Sequence, residues 1–81
     1  MAEKLELFFY PECPFCQRVL ATIMNLGIRD SIELRDIHVD DSARQTLVEI
    51  GGKQQVPCLF IDGEPLYESG DIVNWLEEKF D

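Results

Sequence analysis

Positive charge is scarce in this chain. Seven Lys and Arg stand against sixteen Asp and Glu, for a net charge of −9 at pH 7. A surface of that sign repels phosphate backbones and anionic lipid, so neither nucleic acid nor membrane is an expected partner. Long hydrophobic runs are missing too. The leading apolar stretch, Leu5 to Tyr10, already contains Glu6 and falls far short of the ~20 residues that span a bilayer. Met1-Ala2-Glu3-Lys4 ahead of it lacks the build of a secretory leader. Cysteine is sparse and odd in number, at three, which excludes a dense disulfide framework. One histidine and no second C-x-x-C leave a structural zinc site short of ligands, so no metal is expected. A reducing cytoplasm is the expected compartment. Internal repeats, low-complexity tracts and linkers are absent as well. The 81 residues, 46% of them hydrophobic, predict one small domain over 1–81 with a single core.

What is present is ordered punctuation. Residues 4–10 read as a short aromatic-rich strand. Pro14 suits the first turn of a helix, where its missing N–H is not needed. Val19, Leu20, Ile23, Met24 and Leu26 follow at helical spacing, and Gly27 stops the run. Residues 31–38 alternate imperfectly and read as a second strand. Ser42 and Gln45 have capping-box spacing ahead of a helix carrying Leu47, Val48 and Ile50, ended by Gly51-Gly52. Cys58 to Ile61 reads as a strand, Asp62-Gly63 as a hairpin turn, and Pro65-Leu66-Tyr67 as an edge strand. Ser69 is expected to cap a last helix that turns Ile72, Val73, Leu76 and Phe80 inward. The order β-α-β-α-β-β-α predicts an α/β fold with a mixed four-stranded sheet and helices on both faces.

The chemistry concentrates at Cys13-Pro14-Phe15-Cys16, a C-x-x-C at a strand-to-helix turn. Only a thiolate attacks a disulfide, and the unpaired N–H groups at a helix start favour the anion. Cys13, at the N-cap and the exposed end, is the expected attacker. Cys16, one turn in, is expected to be buried and to resolve a mixed disulfide formed at Cys13. Arg18 adds positive charge nearby and Glu12 opposes it. Phe15 is expected to be exposed and to pack on substrate. Cys58 reads as a small buried hydrophobe, His38 as a solvated strand-end residue with no role as a base, and Trp75 as partly buried support.

With Cys13-Pro14-Phe15-Cys16, Val56-Pro57, Asp62-Gly63 and Glu68-Ser69-Gly70-Asp71-Ile72, the chain resembles dithiol glutaredoxins over essentially its whole length. It is also similar to the N-terminal thioredoxin-like domain of glutathione S-transferases. The resemblance implies a thioredoxin-like fold, sheet order 2-1-3-4, a third strand antiparallel to the first and a cis Pro57. It implies a glutathione site running from Cys13, Phe15 and Arg18 past Gln54, Gln55, Val56 and Pro57 to Glu68, Ser69, Gly70 and Asp71. A backbone pair at Val56 would hold a peptide-like ligand as an added strand does. The N–H groups of Ser69 and Gly70 would meet the γ-glutamyl carboxylate, with Glu68 or Asp71 on the neighbouring ammonium. Tyr10 stands where many glutaredoxins have lysine, and Tyr67-Glu68 where they have Gly-Gly. That leaves Lys53, Gln54 and Arg18 for the glycine carboxylate.

The activity implied is glutathione-dependent reduction of protein disulfides or glutathionylated cysteines by a monomer, with glutathione as co-substrate. A redoxin reduced by a flavoenzyme or another dithiol donor is the alternative. A module bridging an iron–sulfur cluster is a reading of another class, disfavoured by Pro14 and by the competing Cys16. A transferase proper is not expected, because its helical second domain is not found in these 81 residues.

Overall fold

The computed structural model describes residues 4–80; residues 1–3 and 81, counted in the expected domain, lie outside the described residues. Strand β1 (Leu5–Phe9) leads into helix α1 (Pro14–Leu26), a 3₁₀ turn (Arg29–Ser31) and β2 (Ile32–Asp36). Helix α2 (Asp41–Gly51), the hairpin β3 (Cys58–Ile61) and β4 (Glu64–Tyr67), and helix α3 (Ser69–Phe80) complete the chain. The sheet order is β2-β1-β3-β4, with β2 parallel to β1 and β3 antiparallel to both of its neighbours.

β1 is central and covered on both faces, which is why it reads as a nearly continuous apolar run. Leu5, Leu7 and Phe9 face α1 and α3, in a core with Val19, Ile23, Ile72 and Leu76. Phe8 faces α2, in a smaller core with Ile37, Ala43, Leu47 and Phe60; its ring lies 4.5 Å from that of Phe60. The charged exception, Glu6, is neutralised across the β1–β2 ladder by Arg35 at 2.9 Å. Ile37 is buried against α2 although it stands just past the strand. The second face of the sheet is covered as well, so the pattern over 31–38 could not alternate cleanly.

Two expected caps move. Asp40, not Ser42, caps α2: its Oδ1 accepts the Ser42 and Ala43 N–H groups at 3.0 and 3.3 Å. The Ser42 hydroxyl donates to the same oxygen at 2.7 Å, and these bonds hold the Asp40 carboxyl below the usual carboxylate range. Asp40 wins because an Asx side chain two residues earlier reaches two orphan amides at once. At α3 the carbonyl that accepts from Ile72 N–H, at 3.0 Å, is that of Glu68, so Ser69 is the first helical residue and not the cap. Glu68 takes a positive φ of 72° to make that turn. Asp62 and Gly63 both have positive φ, as a two-residue hairpin requires.

Candidate functional site

The turn Tyr10-Pro11-Glu12 delivers Cys13 to the start of α1. The Cys13 N–H donates to the Tyr10 carbonyl at 3.2 Å, and Gln17 Nε2 pins the Pro11 carbonyl at 2.8 Å. Cys13 is the N-cap, and its Sγ accepts from the Cys16 N–H at 3.4 Å. A sulfur in this place satisfies an orphan helix amide and gains most from that bond when it is an anion. The expectation of an exposed attacker is corrected: Cys13 is 6% exposed and Cys16 is 0% exposed. Sγ is turned onto the first turn of α1, where it accepts the Cys16 N–H. The order of accessibility still favours Cys13. Burial first, and then the neighbouring Cys13 sulfur, push the Cys16 thiol up to about 12. Its proton is therefore firmly held.

Cys58 lies elsewhere. It is fully buried in the α2 core, on the opposite face of the sheet from Cys13 and Cys16, and burial pushes its thiol up to about 11. Its cross-strand neighbour is Tyr67.

Beside the thiol turn is a cavity of about 490 Å³, within the size range of small-molecule sites. Phe15 contributes one wall, Gln55, Val56 and Pro57 a second, and Glu68, Ser69 and Gly70 a third. Phe15 is 64% exposed, and it links the cavity to the cysteines. The Val56–Pro57 peptide is cis. The β1–β3 register ends at Phe8 with Cys58, which leaves the Val56 backbone outside the ladder. Ser69 and Gly70 open α3, where helix N–H groups have no partners in the preceding turn. No atom crowds the free face of Gly70, so a ligand can approach its backbone closely. Glu68 Oε2 accepts from Gln55 Nε2 at 3.1 Å, joining two of the walls.

Seven of the expected site residues thus line one cavity. Arg18, Gln54 and Asp71 are exposed and do not line it. Lys53 is turned away: its Nζ lies 4.6 Å above the Tyr67 ring, while the Tyr67 hydroxyl donates to the Lys53 carbonyl. Among the described residues no group of three or more His, Cys, Asp and Glu is arranged to hold a metal ion.

One neighbour of the site escaped the sequence. His38 stacks on Tyr10, with ring centroids 4.2 Å apart, and its Nδ1 lies 3.5 Å from the Glu12 carboxylate. The signal lay in topology. Parallel β1 and β2 run in step, Phe9 with Asp36, so the residues just beyond the two strands meet at the turn that leads to Cys13.

Comparison with known proteins agrees with this geometry. Residues 7–81 match the family described as the glutathione S-transferase N-terminal domain. A Synechocystis protein named Probable glutaredoxin is 30% identical over 73 residues, which cover 89% of this chain and 81% of that protein. The omega-class glutathione transferase 3C of Trametes versicolor superposes with a TM-score of 0.78 at 26% identity, over 95% of this chain but only 34% of the transferase. A thioredoxin-like protein, at 24% identity and a TM-score of 0.78 over its whole length, shares the fold. From residue 7 onward, then, this is a thioredoxin-like chain that belongs to the glutathione S-transferase N-terminal domain family and is related to glutaredoxins.

Proposed function

We propose that the protein is a glutathione-dependent thiol–disulfide oxidoreductase that reduces glutathionylated cysteines and protein disulfides. The observation that carries this is Cys13 Sγ at the helix N-cap, accepting the Cys16 amide and adjoined by a cavity with a cis-proline wall and a helix start. Cys13 as thiolate attacks the sulfur of the disulfide. One S–S bond forms, the other breaks, and the substrate leaves as a thiolate that takes up a proton. The mixed disulfide with glutathione at Cys13 is then attacked by a second glutathione thiolate. Oxidised glutathione departs, and the Cys13 thiolate is restored.

The route through Cys16 is also open: Cys16 attacks Cys13, releases the partner as a thiol and closes an internal disulfide that two glutathiones reopen. Cys16 must lose its proton for that step. Burial, which raises the Cys16 thiol to about 12, opposes that step and favours the glutathione route for glutathionylated substrates. The cavity supports glutathione as the donor. It offers an unpaired backbone stretch at Val56 for the peptide, helix amides for a carboxylate and the Glu68 carboxylate for an ammonium. This lets a chain of net charge −9 hold an anionic peptide through fixed local dipoles. A monomer in a reducing cytoplasm, where partner thiols stay reduced, completes the proposal.

The test is reduction of a glutathionylated peptide with glutathione and glutathione reductase, run beside thioredoxin and its reductase. Turnover in the first system supports the proposal. Turnover confined to the second would favour the redoxin with a flavoenzyme donor.

A further inference from the structure

We infer that Gln55 is a positioning residue: it aims the Glu68 carboxylate at the α-ammonium of the bound peptide instead of touching that peptide as a ligand. The inference deepens the glutathione reading and rests on it. The sequence resemblance implies Gln55 as a direct ligand, but one of the two N–H donors of its side-chain amide is already given to Glu68 Oε2, at 3.1 Å, across the cavity. Two positions 13 residues apart, on different walls, are thereby locked together.

Glu68 is unusual in its own right. Its backbone holds φ at 72°, where non-glycine residues are uncommon, and its carbonyl starts α3 by accepting from Ile72. The backbone is therefore fixed at one end by the helix, while the side chain is exposed and has several rotamers to choose from. None of the ion pairs between described residues involves Glu68. An ionised carboxylate offers about four acceptor sites, and the Gln55 bond uses one. The remainder opens on the cavity that Glu68 lines. A primary ammonium, with three donors and a full charge, is the group that complements such a site. Holding a long side chain in one rotamer before the ligand arrives removes an ordering cost that binding would otherwise meet. Gln55 does this through a single charge-assisted bond, and the selectivity it confers is for peptides that carry a free α-amino group.

The experiment is a calorimetric titration with two probes that cannot exchange thiols: S-methylglutathione, and the same molecule with its α-amino group replaced by hydrogen. Gln55→Met keeps the length and removes the donor. We expect it to weaken binding of S-methylglutathione about tenfold, the low end of the scale of one hydrogen bond to a charged group. With the deaminated probe the variant and the unaltered protein should bind alike. In a Glu68→Gln background the Gln55 change should add nothing. Equal loss with both probes would mean that Gln55 touches the ligand directly or only supports the wall, and would overturn the positioning role alone. An unaltered protein that binds neither probe would overturn the glutathione reading and this inference with it.

Discussion

The two faces of the sheet pose the same physical problem and solve it differently. Each buries a thiol completely, Cys16 on the inner side of α1 and Cys58 under α2, and in each case burial is the leading cause of a raised thiol. A thiol held protonated in this way is a poor nucleophile. What sets the α1 face apart is a second sulfur, Cys13, at the rim of a helix start, where an amide of the next turn points at it. The α2 face begins its helix with Asp40 instead, and the same kind of orphan amides there hold a carboxylate. One device, a helix N-cap, thus holds a sulfur on one side, where the proposed chemistry needs it, and a carboxylate on the other. On the proposed function, reactivity would come from the helix end and not from the cysteine as such.

The sharpest break is substitution within the thiols. Cys13→Ser should reduce turnover of glutathionylated peptide to the uncatalysed background. Cys58→Ala should leave turnover near that of the unaltered protein. Cys16→Ser should retain most of the activity on glutathionylated peptide and lose most of it on protein disulfides. Equal losses in all three would dissolve the contrast between the faces. The next effect is selective labelling: iodoacetamide at pH 7.5 should modify Cys13 first. Cys16 and Cys58, fully buried and with their thiols raised to about 12 and about 11, should react only on unfolding; peptide mapping by mass spectrometry reads this directly.

Two further changes concern the stability of the α2 face. Gly51→Ala adds a helix former inside a helix, which ordinarily helps. Here the new methyl would collide with the Tyr67 hydroxyl, so a loss of about 1–3 kcal/mol in urea unfolding is expected. The smallest effect is at the cap. Asp40→Ala should lower the Tm at neutral pH. Because the Asp40 carboxyl is lowered on folding, chiefly by the Ser42 hydroxyl, its contribution is present above the ordinary carboxylate value of about 3.9. It is lost as pH falls through the lowered value. The Tm gap between variant and unaltered protein should therefore close in strong acid, while a constant gap would mean that the cap acts without its charge.

Local chemistry was readable in the sequence wherever one residue decides it. Pro14, Gly27, Asp62-Gly63 and the C-x-x-C each act over a few bonds, and the strand order followed from their sequence once the resemblance was admitted. The caps were harder. Asp40 and Ser42 are both good caps, and only the observed backbone decides which oxygen reaches two amides. The cavity was legible as a set of segments but not as a set of side chains. Lys53 looked available for a carboxylate, yet it folds onto Tyr67, a ring brought close by the β3–β4 hairpin. Gln55 and Glu68 meet only because the loop before β3 and the start of α3 converge in space. His38 belongs to the same class: its place against Tyr10 depends on the register of two strands.

Trapping the intermediate puts the chemistry of Cys13 to the most direct test. Cys16→Ser protein, incubated with oxidised glutathione and mapped by mass spectrometry without reductant, should carry one glutathione per chain, bound through a disulfide to Cys13. A stable adduct on Cys58, or no adduct while the folded protein persists, would contradict the assignment of Cys13 as the attacking thiol and of the cavity beside it as the glutathione site.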